Sequence, residues 1–415
     1  MSIVDATDRF ASDDLPVYNP VMGLVHEWLS SMAGSEKVLA ALHELYPTAP
    51  IMTACADSKV VAENLPNAQI RTSFLQKLPL VSKCHQKLLP LYMIAFEQFD
   101  MSDFDLVISS SHCAAKAVIT RPDACHICYC HSPMRYAWDL YSEYRKSQGR
   151  LARGVWALVS NYVRMWDLAT ASRVDYFIAN STYISRRIQK FYGKPSVVIH
   201  PPVDIDRFDI SRSTDNYYLS VARFAPYKRI DMVIRAFNKL GWNLVVIGYG
   251  EQEEYLKRIA GPTIQFKGEV SDESVAEYFA HCKASIHAAQ EDFGINMVES
   301  LAAGRPVVAF GTGGASDIID PGVNGVLFYE PTVDSLVSAI RKSASISWDP
   351  ELIKQTSLRF SKERFKEELS AFVEWAQCDF RDCAHGTLQN RGSSLSHWRS
   401  GAADGALVNP SRKRR

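Results

Sequence analysis

The residues best placed to do chemistry cluster in 287–314. A buried strand ends near Ala289, a polar loop carries Glu291, and Gly294 permits close backbone approach where a helix begins. Amide N–H groups of Gly294, Ile295 and Asn296, at the positive end of that helix dipole, make a site for a diphosphate. Glu299 follows about one turn into the helix. One carboxylate in the loop and one on the helix can each grip a pair of vicinal hydroxyls, such as those of a hexose and a ribose. Arg223 and Lys228 follow the strand that ends at Ala222. Open α/β sheets bind ligands at the C-terminal ends of strands, and two cations there suit a diphosphate whose negative charge grows as it leaves. His131-Ser-Pro-Met-Arg-Tyr-Ala-Trp-Asp139 follows another apolar run and gathers groups suited to sugar and phosphate contacts.

Two other motifs carry less. Gly248 and Gly250 end an apolar run, but a dinucleotide fingerprint needs a third glycine and position 253 is Glu. That leaves close backbone approach to a phosphate or sugar, or a plain tight turn, and it disfavours a dehydrogenase. Cys125-His-Ile-Cys-Tyr-Cys-His131 resembles a zinc site. On a strand, His126, Cys128 and Cys130 share a face but span about 13 Å along it. A straight strand cannot wrap them around one ion, so small buried side chains of a core strand are expected and no metal site is assigned.

These residues need a scaffold. Short apolar runs at 21–26, 48–54, 104–109, 125–130, 174–179 and 196–200 alternate with helical patterns. After the break at Pro201-Pro202 the alternation restarts, with strands at 216–221, 243–248, 264–266, 284–288 and 306–309. The helices between fall at 229–240, 251–260, 273–282 and 295–303. The pattern predicts an α/β chain of two Rossmann-like doubly wound domains, residues 21–200 and 201–385, facing each other across a cleft. The last helix, 362–377, can pack back on the first domain. Residues 1–20 read as a flexible leader and 386–415 as a disordered basic tail.

The chain has 415 residues, 46 basic and 46 acidic. Zero net charge argues against a dedicated nucleic-acid binder. No run reaches the length of a membrane span, and the acidic N-terminus is unlike a secretory signal. Nine cysteines without an export signal suggest reduced thiols in a cytoplasm. Basic and apolar residues interleave at 71–96 (Arg71, Lys77, Lys83, Lys87) and at 145–164 (Arg145, Lys146, Arg150, Arg153, Arg164). Such segments suit either an anionic leaflet or a domain core.

In the order of these motifs the chain resembles the retaining glycosyltransferases of family 4, which have the two-domain GT-B fold. The resemblance covers roughly residues 21–380. The His131-Ser-Pro-Met-Arg-Tyr stretch is similar to a subgroup that often transfers mannose in bacterial surface-polysaccharide assembly. The resemblance implies that Arg223 and Lys228 bind the donor diphosphate and that Glu299 holds the ribose. Glu291 would hold the sugar hydroxyls, with Phe293, Gly294 and Ile295 closing on sugar and phosphates. It places His131 beside the reacting centre, Gly34 against the phosphate and Val270 beside the base; Gly248 joins the donor-binding set through the close backbone approach read above. It also implies a nucleotide-sugar donor (GDP-mannose favoured), no cofactor or metal, and a lipid-linked or saccharide acceptor on the first domain. The location would be cytoplasmic, peripheral on the inner face of the cytoplasmic membrane. Many relatives carry Gly-Gly in the first loop, whereas this chain has Ala33-Gly34-Ser35. An epimerase or hydrolase of nucleotide sugars, and a non-catalytic binder on the same scaffold, stay open as alternatives.

Overall fold

Runs of β-branched and apolar residues form two parallel sheets, and helices with one apolar stripe cover their faces. The computed structural model describes residues 20–78, 89–139, 141–142 and 149–384. The first sheet holds β1 (Met22–His26), β2 (Ile51–Thr53), β3 (Ile70–Thr72), β4 (Leu106–Ser111), β5 (Cys125–Cys130), β6 (Tyr176–Ala179) and β7 (Ser196–Val198). Its strand order is 3-2-1-4-5-6-7. The second holds β8 (Tyr218–Val221), β9 (Leu244–Ile247), β10 (Ile264–Gly268), β11 (Ser285–His287), β12 (Val307–Phe310) and β13 (Gly325–Phe328), in the order 10-9-8-11-12-13. Every paired register is parallel. In each sheet the order reverses beside the first strand, which opens the crevice where such sheets take ligands.

In the first domain, α1 (Gly34–Leu45), α2 (Ser58–Asn64), α3 (Leu89–Glu97), α4 (Arg150–Ala171) and α5 (Thr182–Tyr192) pack on the sheet. The second carries α6 (Ile230–Leu240), α7 (Glu253–Ile259), α8 (Asp272–His281), α9 (Ile295–Ala302), α10 (Ala315–Ile318), α11 (Val333–Ala344) and α12 (Pro350–Ser357). The last helix, α13 (Lys362–Ala384), returns to the first domain. Phe365, Leu369, Phe372, Val373, Ala376 and Phe380 enter one core with Leu24, Ile108, Ile127 and Tyr129. Tyr176 also donates its hydroxyl to Asp379 at 2.6 Å.

Most expected strands sit within a few residues of their expected places. Helices α10, α11 and α12 were not singled out in the sequence, and three further elements differ. Strand β3 went unread because Ile70-Arg-Thr72 lies at a sheet edge with Arg71 and Thr72 exposed, so no apolar run marks it. Strand β13 begins at Gly325, which reads as a turn residue. A Cβ there would lie 2.3 Å from the Val307 carbonyl oxygen, so glycine is what lets this strand join β12. Helix α13 runs past 377 because the buried Asp379 interrupts the apolar stripe while still facing the core. The expected leader, the basic tail, and Lys83, Lys87, Arg145 and Lys146 lie outside the described residues, apart from Pro20.

The zinc-like segment forms β5. Cys125, Ile127 and Tyr129 enter the core shared with α13, while Cys128 and Cys130 enter the opposite layer with Phe177 and Ile184. His126 is bonded to the Ser109 hydroxyl at 2.9 Å.

Candidate active site

Tight backbone crossings set the second domain's half of the site. The loop after β8 carries Arg223, exposed, and Lys228, at the end of a 3-10 turn over Pro226–Lys228. That loop is braced by the β9 turn. Phe224 donates its N–H to the Tyr249 carbonyl, and Gln252 donates to the Phe224 carbonyl. Gly248, at φ 137°, passes so close that a Cβ would stand 1.9 Å from the Ala222 oxygen. Its missing side chain therefore serves this chain's own backbone. Val270 follows β10 and, like Ile295, packs half-buried against the core that holds Phe293, Met297 and Val298.

A second crossing shapes the Glu291 loop. Gly314 donates its N–H to the Glu291 carbonyl at 2.9 Å, and Gly313 pairs with Glu291 as an isolated bridge. A Cβ on Gly313 would lie 2.1 Å from the Glu291 oxygen, and one on Gly314 2.1 Å from the Phe293 oxygen. Phe293 is buried against His200 and Phe360. Gly294 caps α9 in the left-handed region, at φ 107°, and supplies no side-chain cap to the first amides.

The two carboxylates differ in setting. Lys228 Nζ lies 2.7 and 2.8 Å from the two oxygens of Glu291. Burial alone would raise the Glu291 carboxyl; the Lys228 ammonium outweighs it and holds the group below the usual range. The pairing in turn lifts Lys228 above its usual range against the pull of burial. Glu299 faces Arg207 at 3.2 Å and Lys37 at 3.9 Å. There burial wins, and the Glu299 carboxyl lies above the usual range.

The first domain faces these groups from the ends of its own strands. Gly34 opens α1, and a Cβ there would come within 2.8 Å of the Ile295 side chain, so Gly34 lies directly against the start of α9. His131 follows β5, and its Nε2 is 2.8 Å from the Ser110 hydroxyl. Burial, together with His112 and His26, holds His131 well below the usual imidazole range, so it is neutral near pH 7. Arg135, from the same loop, faces Asp292 at 3.5 Å and lies 5.4 Å from the Tyr227 ring centre.

Of the sequence-read residues, Lys228 and Glu291 are in direct contact and Gly34 lies against Ile295, whereas Arg223, Gly248 and Val270 are not brought against them. Sequence reasoning missed Asp292, Arg187, Arg207, Lys37 and Glu27. Asp292 takes Arg135 and also Arg187 Nη1 at 3.6 Å, while its backbone carbonyl accepts the Ser181 hydroxyl at 2.5 Å. Glu27, fully buried just after β1, accepts backbone N–H groups from His112, Cys113, Ala114 and Ala115 and the Ser111 hydroxyl. An acid directly after a buried strand was the one readable signal of this clamp. Two Asp-x-Asp pairs, Asp103/Asp105 and Asp204/Asp206, were also overlooked. Asp105 is engaged by Arg121 and the Val21 N–H. Among the described residues no cluster of His, Cys, Asp and Glu could hold a metal ion.

Comparison with known proteins fits this geometry. Residues 55–207 match the family model "Glycosyltransferase Family 4", and residues 203–356 match "Glycosyl transferases group 1". An uncharacterised glycosyltransferase of Methanocaldococcus jannaschii is 26% identical over 49% of this chain, which spans 57% of that relative's length. The GDP-Man:Man(3)GlcNAc(2)-PP-Dol alpha-1,2-mannosyltransferase of Xenopus laevis is 24% identical, over 84% of this chain and 85% of its own. The O-antigen chain mannosyltransferase C of Escherichia coli is 25% identical, over 60% and 67%. Among solved structures, Anabaena HepE in complex with UDP and glucose superposes with a TM-score of 0.63 at 16% identity, covering 86% of this chain and all of that one. With both family models meeting at the link between its two parallel-sheet domains, the chain belongs to the family 4 glycosyltransferases of GT-B fold.

Proposed function

We propose that the protein is a retaining hexosyltransferase. It moves mannose from GDP-mannose to a lipid-linked or saccharide acceptor in bacterial surface-polysaccharide synthesis, without a metal. The observation that carries this reading is the Lys228–Glu291 pair, set beside the start of α9 and facing the first domain. Lys228, Arg223 and the first α9 amides would neutralise the leaving diphosphate. The pair would open on donor binding, with Lys228 turning to phosphate and Glu291 to the sugar hydroxyls. Glu299 would hold the ribose. The bond from sugar C1 to the diphosphate breaks as the acceptor oxygen bonds C1 on the same face. The acceptor's proton passes to the departing phosphate oxygen. Mannose and its GDP carrier are favoured by the relatives named for mannosyl transfer.

Calorimetric binding of GDP and UDP, with Glu299→Ala as control, tests the donor site. The expected result is GDP binding that the substitution weakens. A UDP preference discards mannose but keeps the class. Binding of neither nucleotide counts against the transferase reading. Donor consumption without acceptor at the full rate would favour a hydrolase or epimerase. Transfer that survives EDTA is expected, and its loss would refute metal independence.

We propose further that the protein sits peripherally on an anionic membrane through α4. Leu158, Tyr162, Met165 and Leu168 stand exposed on it, and its one acid, Asp167, is fully buried against Lys116. Its outer surface is therefore apolar and cationic, suited to an anionic bilayer. No helix among the described residues is long and apolar enough to cross a membrane.

A further inference from the structure

A chain of buried polar groups runs behind His131 and ties it to the loop that holds Gly34. His131 Nε2 lies 2.8 Å from Ser110 Oγ, and the same oxygen lies 3.1 Å from Nδ1 of His26. Nε2 of His26 faces a Glu36 oxygen across 3.6 Å. That is too long for a hydrogen bond, yet close enough to favour a proton on that nitrogen. His26 and Ser110 are wholly buried and Glu36 nearly so. Glu36 also accepts the Ala33 N–H at 3.1 Å and the Ser35 hydroxyl at 2.9 Å. One carboxylate thus braces both residues that flank Gly34 and faces the far end of the chain that leads to His131.

We propose that Ser110, His26 and Glu36 are positioning residues that fix His131 in a single tautomer, with the proton on Nε2 and a bare Nδ1. The order of donors follows from the chemistry of each group. Glu36 is held ionised, because His26 lowers its carboxyl to about 2 against the rise that burial would cause, and a carboxylate only accepts. With a single proton on its ring, His26 keeps it on Nε2, the nitrogen that faces the carboxylate, and its Nδ1 is an acceptor. Ser110 has one proton and gives it to that nitrogen. The Ser110 oxygen must then accept from His131, which places a proton on Nε2 of His131. His131 is neutral, so its Nδ1 carries none. The reverse arrangement would aim a bare His26 nitrogen at a carboxylate.

The consequence for substrate, which rests on the transferase reading, is selective. A bare Nδ1 accepts from a sugar hydroxyl and has nothing to donate to a phosphate oxygen. His131 would thus orient a hydroxyl at the reacting end, and phosphate would be left to Lys228, Arg223 and the α9 amides.

The test is long-range proton–nitrogen NMR of the full chain labelled with 15N-histidine, with His131→Gln to assign the signals. The expected spectrum of His131 shows a protonated Nε2 and an unprotonated Nδ1. Ser110→Ala should replace it with a mixture of tautomers, and Ser110→Thr should restore it. Glu36→Gln should invert it, since the amide donates to His26 while its oxygen still takes the Ala33 N–H. A protonated Nδ1 in the wild type, or an unchanged spectrum in Ser110→Ala with an unchanged melting temperature, overturns the proposal. In transfer from GDP-mannose to octyl α-mannoside, Ser110→Ala should lower kcat about tenfold with little change in donor KM. Ser110→Thr should recover it. A wild type with no transfer from any nucleotide sugar would sink the transferase reading and leave the tautomer to be judged by its spectrum.

Discussion

Lys228 and Glu291 each cancel the other's burial cost. Removing one strands the other, so stability and activity should part company in a definite way. Lys228→Ala should cut transfer by about 2–4 kcal/mol of transition-state stabilisation, roughly 30- to 1,000-fold in kcat/KM. It should also lower the melting temperature, because Glu291 loses its counter-charge. The double variant Lys228→Met with Glu291→Leu should recover much of that stability while remaining inactive. Steady-state kinetics and calorimetry of the three proteins check both halves. Acid should also weaken the fold. Burial depresses His126 and His287 to about 4. Their pKa values are lower folded than unfolded, so between about pH 6.5 and pH 4 the unfolded chain binds more protons and stability falls as pH falls. Each contributes on the order of 3 kcal/mol across that window. Urea unfolding at pH 7 and pH 5 should show the loss, and His126→Gln should reduce it. At this scale the sequence disclosed the groups that meet substrate, because their types and spacing are unusual. It did not disclose Asp292, which reads as one more loop acid until arginines from β5's loop and from α5 converge on it.

Elements bring these residues together through glycines that another backbone touches, which makes the two kinds of left-handed glycine separable. Gly313, at φ 71°, has the Glu291 carbonyl where a Cβ would go, whereas Gly193, at φ 66°, ends α5 in open space. Gly193→Ala should cost about 1 kcal/mol through backbone strain and leave transfer untouched. Gly313→Ala should displace the Glu291 loop and lose most activity even at temperatures where the protein stays folded. A Gly313→Ala enzyme with wild-type kinetics would remove Glu291 from the site. Helix α4 yields an independent expectation. Leu158→Glu with Met165→Glu should abolish co-sedimentation with anionic vesicles and leave nucleotide binding unchanged. Equal co-sedimentation of both proteins would assign the stripe another role. Periodicity revealed most strands and helices because one face of each is buried. It failed at the mostly exposed edge strand β3, at Gly325, and at Asp379 inside the stripe of α13.

Across the whole molecule, the domains are joined by charges as well as by chain. Arg135 and Arg187 converge on Asp292, Lys37 approaches Glu299, and Thr182 donates its N–H to Asp317 at 2.6 Å. Asp292→Asn removes the charge on which two arginines converge. It should give a larger radius of gyration by small-angle scattering without ligand, and a raised donor KM. An unchanged scattering curve at low and high salt would show that these pairs do not govern closure. The doubly wound plan was legible from alternation and from the break at Pro201-Pro202. The arrangement of charge across the cleft was not, because it joins residues more than a hundred positions apart.

Helix α13 carries a consequence for how the chain is made. Phe365, Leu369 and Phe372 complete the core of the first domain, yet they are translated after the whole second domain. The first domain therefore leaves the ribosome with part of its interior open to water and must wait for its last helix. A premature stop codon after Ser361 would spare every strand of both sheets, yet the domain it would unfold is the one synthesised first.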